Sequence, residues 1–226
     1  MDVSIIGYGT VGRSLACVFP GAQIIDPAQG HDGRITGGIA FVCVPTPMAP
    51  DGSCDTSIVR EVVTSHAAEL YVLRSTVPPG TCRSLGVPIV FQPEYLGMTP
   101  GHRYESDLDV PFVILGGEPW QTRKVAKLYR TVLPPDTSYH HTDLETAELV
   151  KYAVNTFLAT KVEFANELHD ACAKLGSCGT KPLCTKQNED LVAYAAAVQA
   201  QRRNRMLLAA GVVAVGGIWW FSRKRK

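Results

Sequence analysis

Gly7, Gly9 and Gly12 stand in the spacing G-x-G-x-x-G, between the apolar run DVSII at 2–6 and the helix-forming stretch TVGRSLACVF at 10–19. Glycine weakens helices and strands alike, so this clustering needs a backbone reason. A phosphate site supplies one. The first glycine allows a tight turn out of the strand, the second lets a diphosphate approach the main chain, and the third lets helix and strand pack closely. The N–H groups opening the helix then face the anion. Thr10 and Val11 begin that helix and complete the loop. A second apolar run, AQIID, ends in Asp26, where a carboxylate can accept hydrogen bonds from an adenosine ribose and repel a 2′-phosphate. This pairing points to NAD rather than NADP. A further pair lies far along the chain: Lys151 and Asn155 are four apart on one helical face, so both can reach one substrate oxygen. The same spacing also describes a solvated helix face.

The elements that must position these groups alternate. Strands are expected at 2–6, 22–26, 39–44, 71–76, 88–96, 110–117 and 137–142, and helices at 10–19, 55–70 and 118–133, with a long helix from about 143 to 175. Asp55 or Thr56 reads as a helix cap, and Pro119 suits a first helical position. Strands alternating with helices through short links imply an α/β protein with a Rossmann-type, doubly wound parallel sheet, here followed by a long helix and a C-terminal hydrophobic helix. In such a sheet ligands collect beyond the carboxyl ends of the strands. VPTP at 44–47, STVPPGT at 75–81 and QPEYL at 92–96 fall there.

The motifs GYGTVG, FVCVPTP, STVPPGT, QPEYL and ELVKYAVNTFLATKVEFANE, in this order, resemble the UDP-glucose/GDP-mannose dehydrogenase family over roughly residues 1–176. Members of that family oxidise the C6 alcohol of a nucleotide sugar twice, to a carboxylate, with NAD. The resemblance implies that Val44, Pro45, Thr46, Ser75 and Thr76 line the cofactor, with Thr46 beside the nicotinamide ribose. It implies that Thr76 holds a water near the reacting carbon and that Glu94 is a base or water-orienting group. Lys151 would stabilise the developing oxyanion, with Asn155 in support. It also makes a homodimer through the helix at 143–176 an expectation.

Three departures stand out. Only a short, Gly-rich stretch separates Asp26 from IAFVCV, so helices of the family pattern are missing. QPEYL continues with Gly97 and Met98 where the family has Arg and Glu. The second oxidation needs a thiolate, and the nearest counterpart of that motif is Cys184 in GTKPLCTKQNEDLVAYA, which also reads as a structural thiol. The chain therefore divides into a dinucleotide-binding domain at 1–142, a long helix at 143–176, a degenerate linker at 177–205 and a hydrophobic tail at 206–226.

The tail segment 206–221, MLLAAGVVAVGGIWWF, is uncharged between RRNR and RKRK. Its tryptophans suit a membrane interface and its flanking cations can snorkel, so a C-terminal membrane anchor is expected. A buried or subunit-contact helix is the other reading. With no leader read before the first strand, the globular part is expected in the cytoplasm. A net charge of +1 argues against a nucleic-acid surface, and the seven cysteines show no metal spacing and read as reduced thiols. Two functions stay open: a shortened nucleotide-sugar dehydrogenase, and a catalytically inactive NAD-binding or membrane-tethered interaction protein of the same descent.

Overall fold

The computed structural model describes residues 2–35, 37–97 and 101–174. The chain divides into two units, Met1–Pro47 with Thr56–Val154, and Met48–Asp55 with Asn155–Lys226. Cys184 and the apolar segment 206–221 lie outside the described residues. Among the described residues no helix is long and apolar enough to cross a membrane.

The first unit is built on one seven-stranded sheet in the order β2-β1-β3-β4-β5-β6-β7. The strands are β1 Val3–Ile6, β2 Gln23–Ile25, β3 Ile39–Val42, β4 Leu70–Leu73, β5 Ile89–Phe91, β6 Phe112–Gly116 and β7 Ser138–Thr142. The helices are α1 Thr10–Val18, α2 Ser57–Ser65, α3 Thr81–Leu85 and α4 Pro119–Tyr129, and α5 Leu144–Lys174 continues into the second unit.

The central strands β3, β4 and β5 read as unbroken apolar runs because both faces of the sheet are covered there. In β3, Ile39 and Phe41 join one core with Leu15, Val18, Val125 and Tyr129, which places α1 and α4 on that face. Ala40 and Val42 join the other core with Val59, Val62, Cys82 and Ala147, which places α2, α3 and the start of α5 opposite. A sheet wound on both faces has its ligand crevice where the strand order reverses, here beside β1, with β2 on one flank and β3 on the other.

Three features differ from expectation. The sheet is parallel from β2 to β5, but β6 runs antiparallel to β5, meeting it only at Phe91 and Gly116, and β7 follows β6. The link from β5 to β6 contains only a 3-10 turn at Asp107–Asp109, with no crossover helix among its described residues, so the chain turns back on the edge where it left. A short helix, α3, appears after PPGT; it lies between Gly80 at φ +90° and Gly86 at φ +68° and is too short to show periodicity in sequence. Finally α2 ends at Ser65, so the expected helix at 55–70 loses its last turn to the approach of β4. The shortened Asp26–Ile39 link carries one 3-10 turn, Pro27–Gln29, and drops Ile35 into the core that a helix would otherwise cover.

Candidate functional site

At the mouth of β1 the glycine loop has the geometry of a close-approach turn. Gly7 has φ +90°, and its N–H donates to the Ile25 carbonyl at 2.9 Å. A Cβ on Gly7 would lie 2.7 Å from the Cys43 carbonyl oxygen, and one on Gly12 would lie 1.9 Å from the Gly7 carbonyl oxygen. Both glycines are therefore demanded by the protein itself. Gly9 is different: a Cβ there would meet nothing within 4 Å. Gly9 caps α1 with no side-chain hydrogen bond to the helix start, and no acidic residue lies in the first turn. Thr10 and Val11 follow in that turn with their N–H groups lacking an intrahelical acceptor, as at every helix start. An open, uncapped, positively polarised helix end fits a diphosphate.

Asp26 sits just past β2. Its Oδ2 accepts from the Tyr8 N–H at 2.7 Å and from the Gln29 amide at 2.9 Å. The Tyr8 N–H is the main reason that the Asp26 pKa lies below the usual carboxylate range. The carboxylate is thus held ionised beside the loop, as recognition of ribose hydroxyls requires.

The adjacent strand ends are tied to one another. Ser75 donates to the Val44 carbonyl at 2.6 Å, and Thr46 donates to the Thr76 carbonyl at 2.7 Å, which joins the β3 and β4 loops through Val44, Pro45 and Thr46. Glu94 follows β5, and Lys151 comes from α5. The Lys151 ammonium donates to the Glu94 carbonyl at 2.5 Å and to its Oε1 at 2.7 Å, and it lies 5.5 Å from the centre of the Tyr95 ring. The second Glu94 oxygen accepts from the Leu96 N–H at 3.0 Å. Because β3, β4 and β5 are parallel neighbours, Thr46, Thr76 and the Glu94–Lys151 pair share the carboxyl edge of one sheet. Asn155, four residues beyond Lys151 in α5, belongs to the second unit.

Two groups beneath this edge escaped the sequence reading. Glu148, fully buried, accepts from the N–H groups of Gly80 at 2.5 Å and Cys82 at 2.8 Å, fastening the loop after Thr76 to α5 one turn from Lys151. Its only signal in sequence was its place three residues before Lys151. Arg74, 2% exposed, donates to Asp107 at 2.7 Å, and the other Asp107 oxygen accepts from Ser14 in α1 at 2.7 Å. Nearby, the Tyr129 hydroxyl donates to Gln92 at 2.8 Å. Arg74 and Gln92 immediately precede the Ser75–Thr76 and Pro93–Glu94 segments, so this buried network underlies both. Cys43 adds no reactive thiol there, since burial pushes its pKa up to about 12.

Gly97, where an arginine was expected by resemblance, packs under His102: a Cβ would lie 1.9 Å from the imidazole Cγ. The loop itself fills the space that an arginine side chain would need. Met98 lies outside the described residues.

Comparison with known proteins bears directly on this arrangement. The model of the UDP-glucose/GDP-mannose dehydrogenase family, NAD binding domain, matches residues 35–133, and that family's central domain matches residues 145–178. The chain is 32% identical over 151 residues to the UDP-glucose 6-dehydrogenase of Rickettsia felis, covering 60% of this chain and 33% of that protein. It is 26% identical over 207 residues to UDP-glucose 6-dehydrogenase YwqF of Bacillus subtilis, covering 78% and 46%. The chain thus spans about a third of the length of the curated relatives it matches first. Among solved structures, a UDP-glucose dehydrogenase from Pyrobaculum islandicum superposes with TM-score 0.55 at 25% identity, covering 74% of this chain and 52% of that one. The UDP-N-acetyl-mannosamine dehydrogenase Cap5O from Staphylococcus aureus superposes with TM-score 0.61 at 21% identity, covering 77% and 55%, a likeness of fold. With these two matched domains, which together take in more than half of its residues, the chain belongs to the UDP-glucose/GDP-mannose dehydrogenase family and carries that family's NAD-binding domain.

Proposed function

We propose that the chain is an NAD-dependent oxidoreductase acting on the CH–OH group of a nucleotide sugar of the UDP-glucose or GDP-mannose type. The observation that carries this reading is the Glu94–Lys151 pair, a fixed ammonium next to a carboxylate on the edge that also holds Thr46 and Thr76. Gly7, Gly9, Thr10, Val11 and Gly12 receive the diphosphate, Asp26 the adenosine ribose, and Val44, Pro45, Thr46 and Ser75 the nicotinamide half. NAD, when bound, accepts the hydride. Lys151 spends two N–H bonds on Glu94 and keeps one for the substrate oxygen, which becomes more negative as its proton leaves. Asn155, four residues on in the same helix, supports that oxygen. Glu94 takes the proton or orients a water, and Thr76 holds that water. Cys184 is the candidate nucleophile for a second oxidation.

The test is NADH formation by the full chain with UDP-glucose, GDP-mannose and related nucleotide sugars. A second reading, an NAD-binding protein without turnover, is favoured by the loss of an arginine site at Gly97. It predicts calorimetric binding of NAD with no NADH from any of these sugars. Absence of NAD binding overturns both readings.

The glycines offer a sharper check on the cofactor site. Gly12→Ala drives a methyl into the Gly7 carbonyl and is expected to cost about 1–3 kcal/mol of stability. Gly9→Ala points into open space and is expected to stay within about 0.5 kcal/mol of wild type. It should nevertheless weaken NAD binding about tenfold or more, a loss of about 1.4 kcal/mol. Denaturant melts and calorimetry on the two variants separate these effects. Unchanged NAD affinity in Gly9→Ala would remove the diphosphate from this loop.

A homodimer through α5 is part of the same reading. Phe157, Phe164 and Leu168 are exposed by 64, 66 and 55%, and burying them against a second copy explains their type. Sedimentation of the wild type as a monomer would exclude it. The segment 206–221 acts as a membrane anchor that leaves the globular part in the cytoplasm. Recovery of the full chain in the soluble fraction without detergent would exclude that.

A further inference from the structure

Arg13 is the fourth residue of α1, at the end of the helix where the macrodipole disfavours a cation, and no acidic residue in that turn offsets it. Helix stability therefore gives no reason for an arginine here. Its guanidinium is nonetheless held in place. Nε donates to the Tyr8 carbonyl at 3.0 Å, Nη2 donates to Gln29 Oε1 at 2.7 Å, and the group lies over the Tyr8 ring, 4.9 Å from its centre. The Gln29 amide donates onward to Asp26 Oδ2 at 2.9 Å and to the Tyr8 carbonyl at 3.0 Å. A cation, one amide and a carboxylate thus form a continuous chain across the adenosine end of the crevice. His31 stands edge-on to Tyr8, with ring centres 5.6 Å apart.

We propose that Arg13 is a coenzyme-specificity residue: a cation already placed to bind an adenosine 2′-phosphate, and kept from doing so only by Asp26. This deepens the NAD reading above and rests on it. A carboxylate accepts hydrogen bonds from ribose hydroxyls and repels a phosphate, whereas a neighbouring arginine accommodates one. Only the Gln29 amide separates the two opposing groups. With the carboxylate removed, Gln29 loses its anionic partner and is released to turn, and Arg13, which uses only Nε and Nη2 in the hydrogen bonds above, has N–H donors left for a phosphate. Tyr8 supports that fork from below by its ring. The choice between the two coenzymes then rests on one side chain rather than on the shape of the pocket.

The experiment is calorimetric titration of the full chain with NAD, NADP and 2′,5′-ADP. Wild type, Asp26→Ser, Asp26→Asn and the double variant Asp26→Ser/Arg13→Gln are compared. Asp26→Asn keeps an acceptor for the Tyr8 N–H and guards against loss of the local fold. Wild type is expected to bind NAD at least tenfold more tightly than NADP. Asp26→Ser and Asp26→Asn are expected to bind NADP and 2′,5′-ADP at least tenfold more tightly than wild type does. The double variant should lose that gain, and the gain should shrink as salt rises. Persistence of the gain in the double variant, or no gain in either single variant while wild type binds NAD, overturns the role of Arg13 and leaves the NAD site standing. Failure of wild type to bind NAD overturns the site and this role together.

Discussion

Lys151→Ala is expected to lower the turnover of nucleotide-sugar oxidation about 100- to 1,000-fold, with NAD affinity within about twofold of wild type. The size follows from the role proposed for the ammonium. Removal of hydride from a carbinol carbon is easier as its oxygen gains negative charge, and a fixed cation stabilises that charge most in the transition state. The side chain is 6% exposed and fixed by two bonds to Glu94, so it needs no reorganisation at the moment of reaction. A water entering the space left by a shorter side chain carries no charge and cannot take the ammonium's place. The carboxylate left behind is 20% exposed and keeps its bond from the Leu96 N–H, so the fold should survive the change. Steady-state kinetics with calorimetry for NAD separate the two quantities. Turnover within about threefold of wild type would remove Lys151 from the reacting oxygen.

Asp107→Ala is expected to destabilise the first unit by about 3–5 kcal/mol, because it strips the counter-charge from a buried guanidinium. Arginine does not lose its proton in proteins, so Arg74 has no neutral form to fall back on. Burial disfavours its charge, and Asp107 is the largest opposing influence. Its Nε and Nη1 already lack hydrogen-bond partners among the described residues, so the bond to Asp107 carries the compensation. The same substitution frees Ser14 in α1 from its acceptor. For a chain of this size the loss corresponds to roughly 6–20 °C in Tm. The double variant Arg74→Met/Asp107→Leu removes both charges and should recover most of it, since an apolar pair of similar volume can replace a buried ion pair. Thermal melts of the two variants decide the matter. A double variant no more stable than Asp107→Ala would show that packing, not charge, is the cause.

The order of strands and helices was legible because each element shows a local signature: β-branched runs at β1 and β3, a proline at the first position of α4, an amphipathic repeat in α2. The glycine loop was legible for the same reason. Gly7 needs a positive φ and Gly12 needs the space of a missing Cβ beside the Gly7 carbonyl, and these two demands are local, whereas the close approach of Cys43 to Gly7 is set by the sheet. The turn of β6 against β5 was not legible, because strand direction depends on whether the connection crosses the sheet, and no single residue states that.

What the sequence by itself determined is therefore the local chemistry: a G-x-G-x-x-G loop between a strand and a helix, an acid closing β2, and a lysine on a long helix. What only the tertiary structure decided is which of these groups meet. Lys151 and Glu94 are 57 residues apart, Arg74 and Asp107 are 33 apart, and Ser14 and Asp107 are 93 apart. Such pairs leave no periodic trace, since they are formed by the sheet order that brings strand ends together and by the helix that folds back across them. The charge of a side chain can be read from the chain alone; its partner, and with it the energy of that charge, is set by the fold.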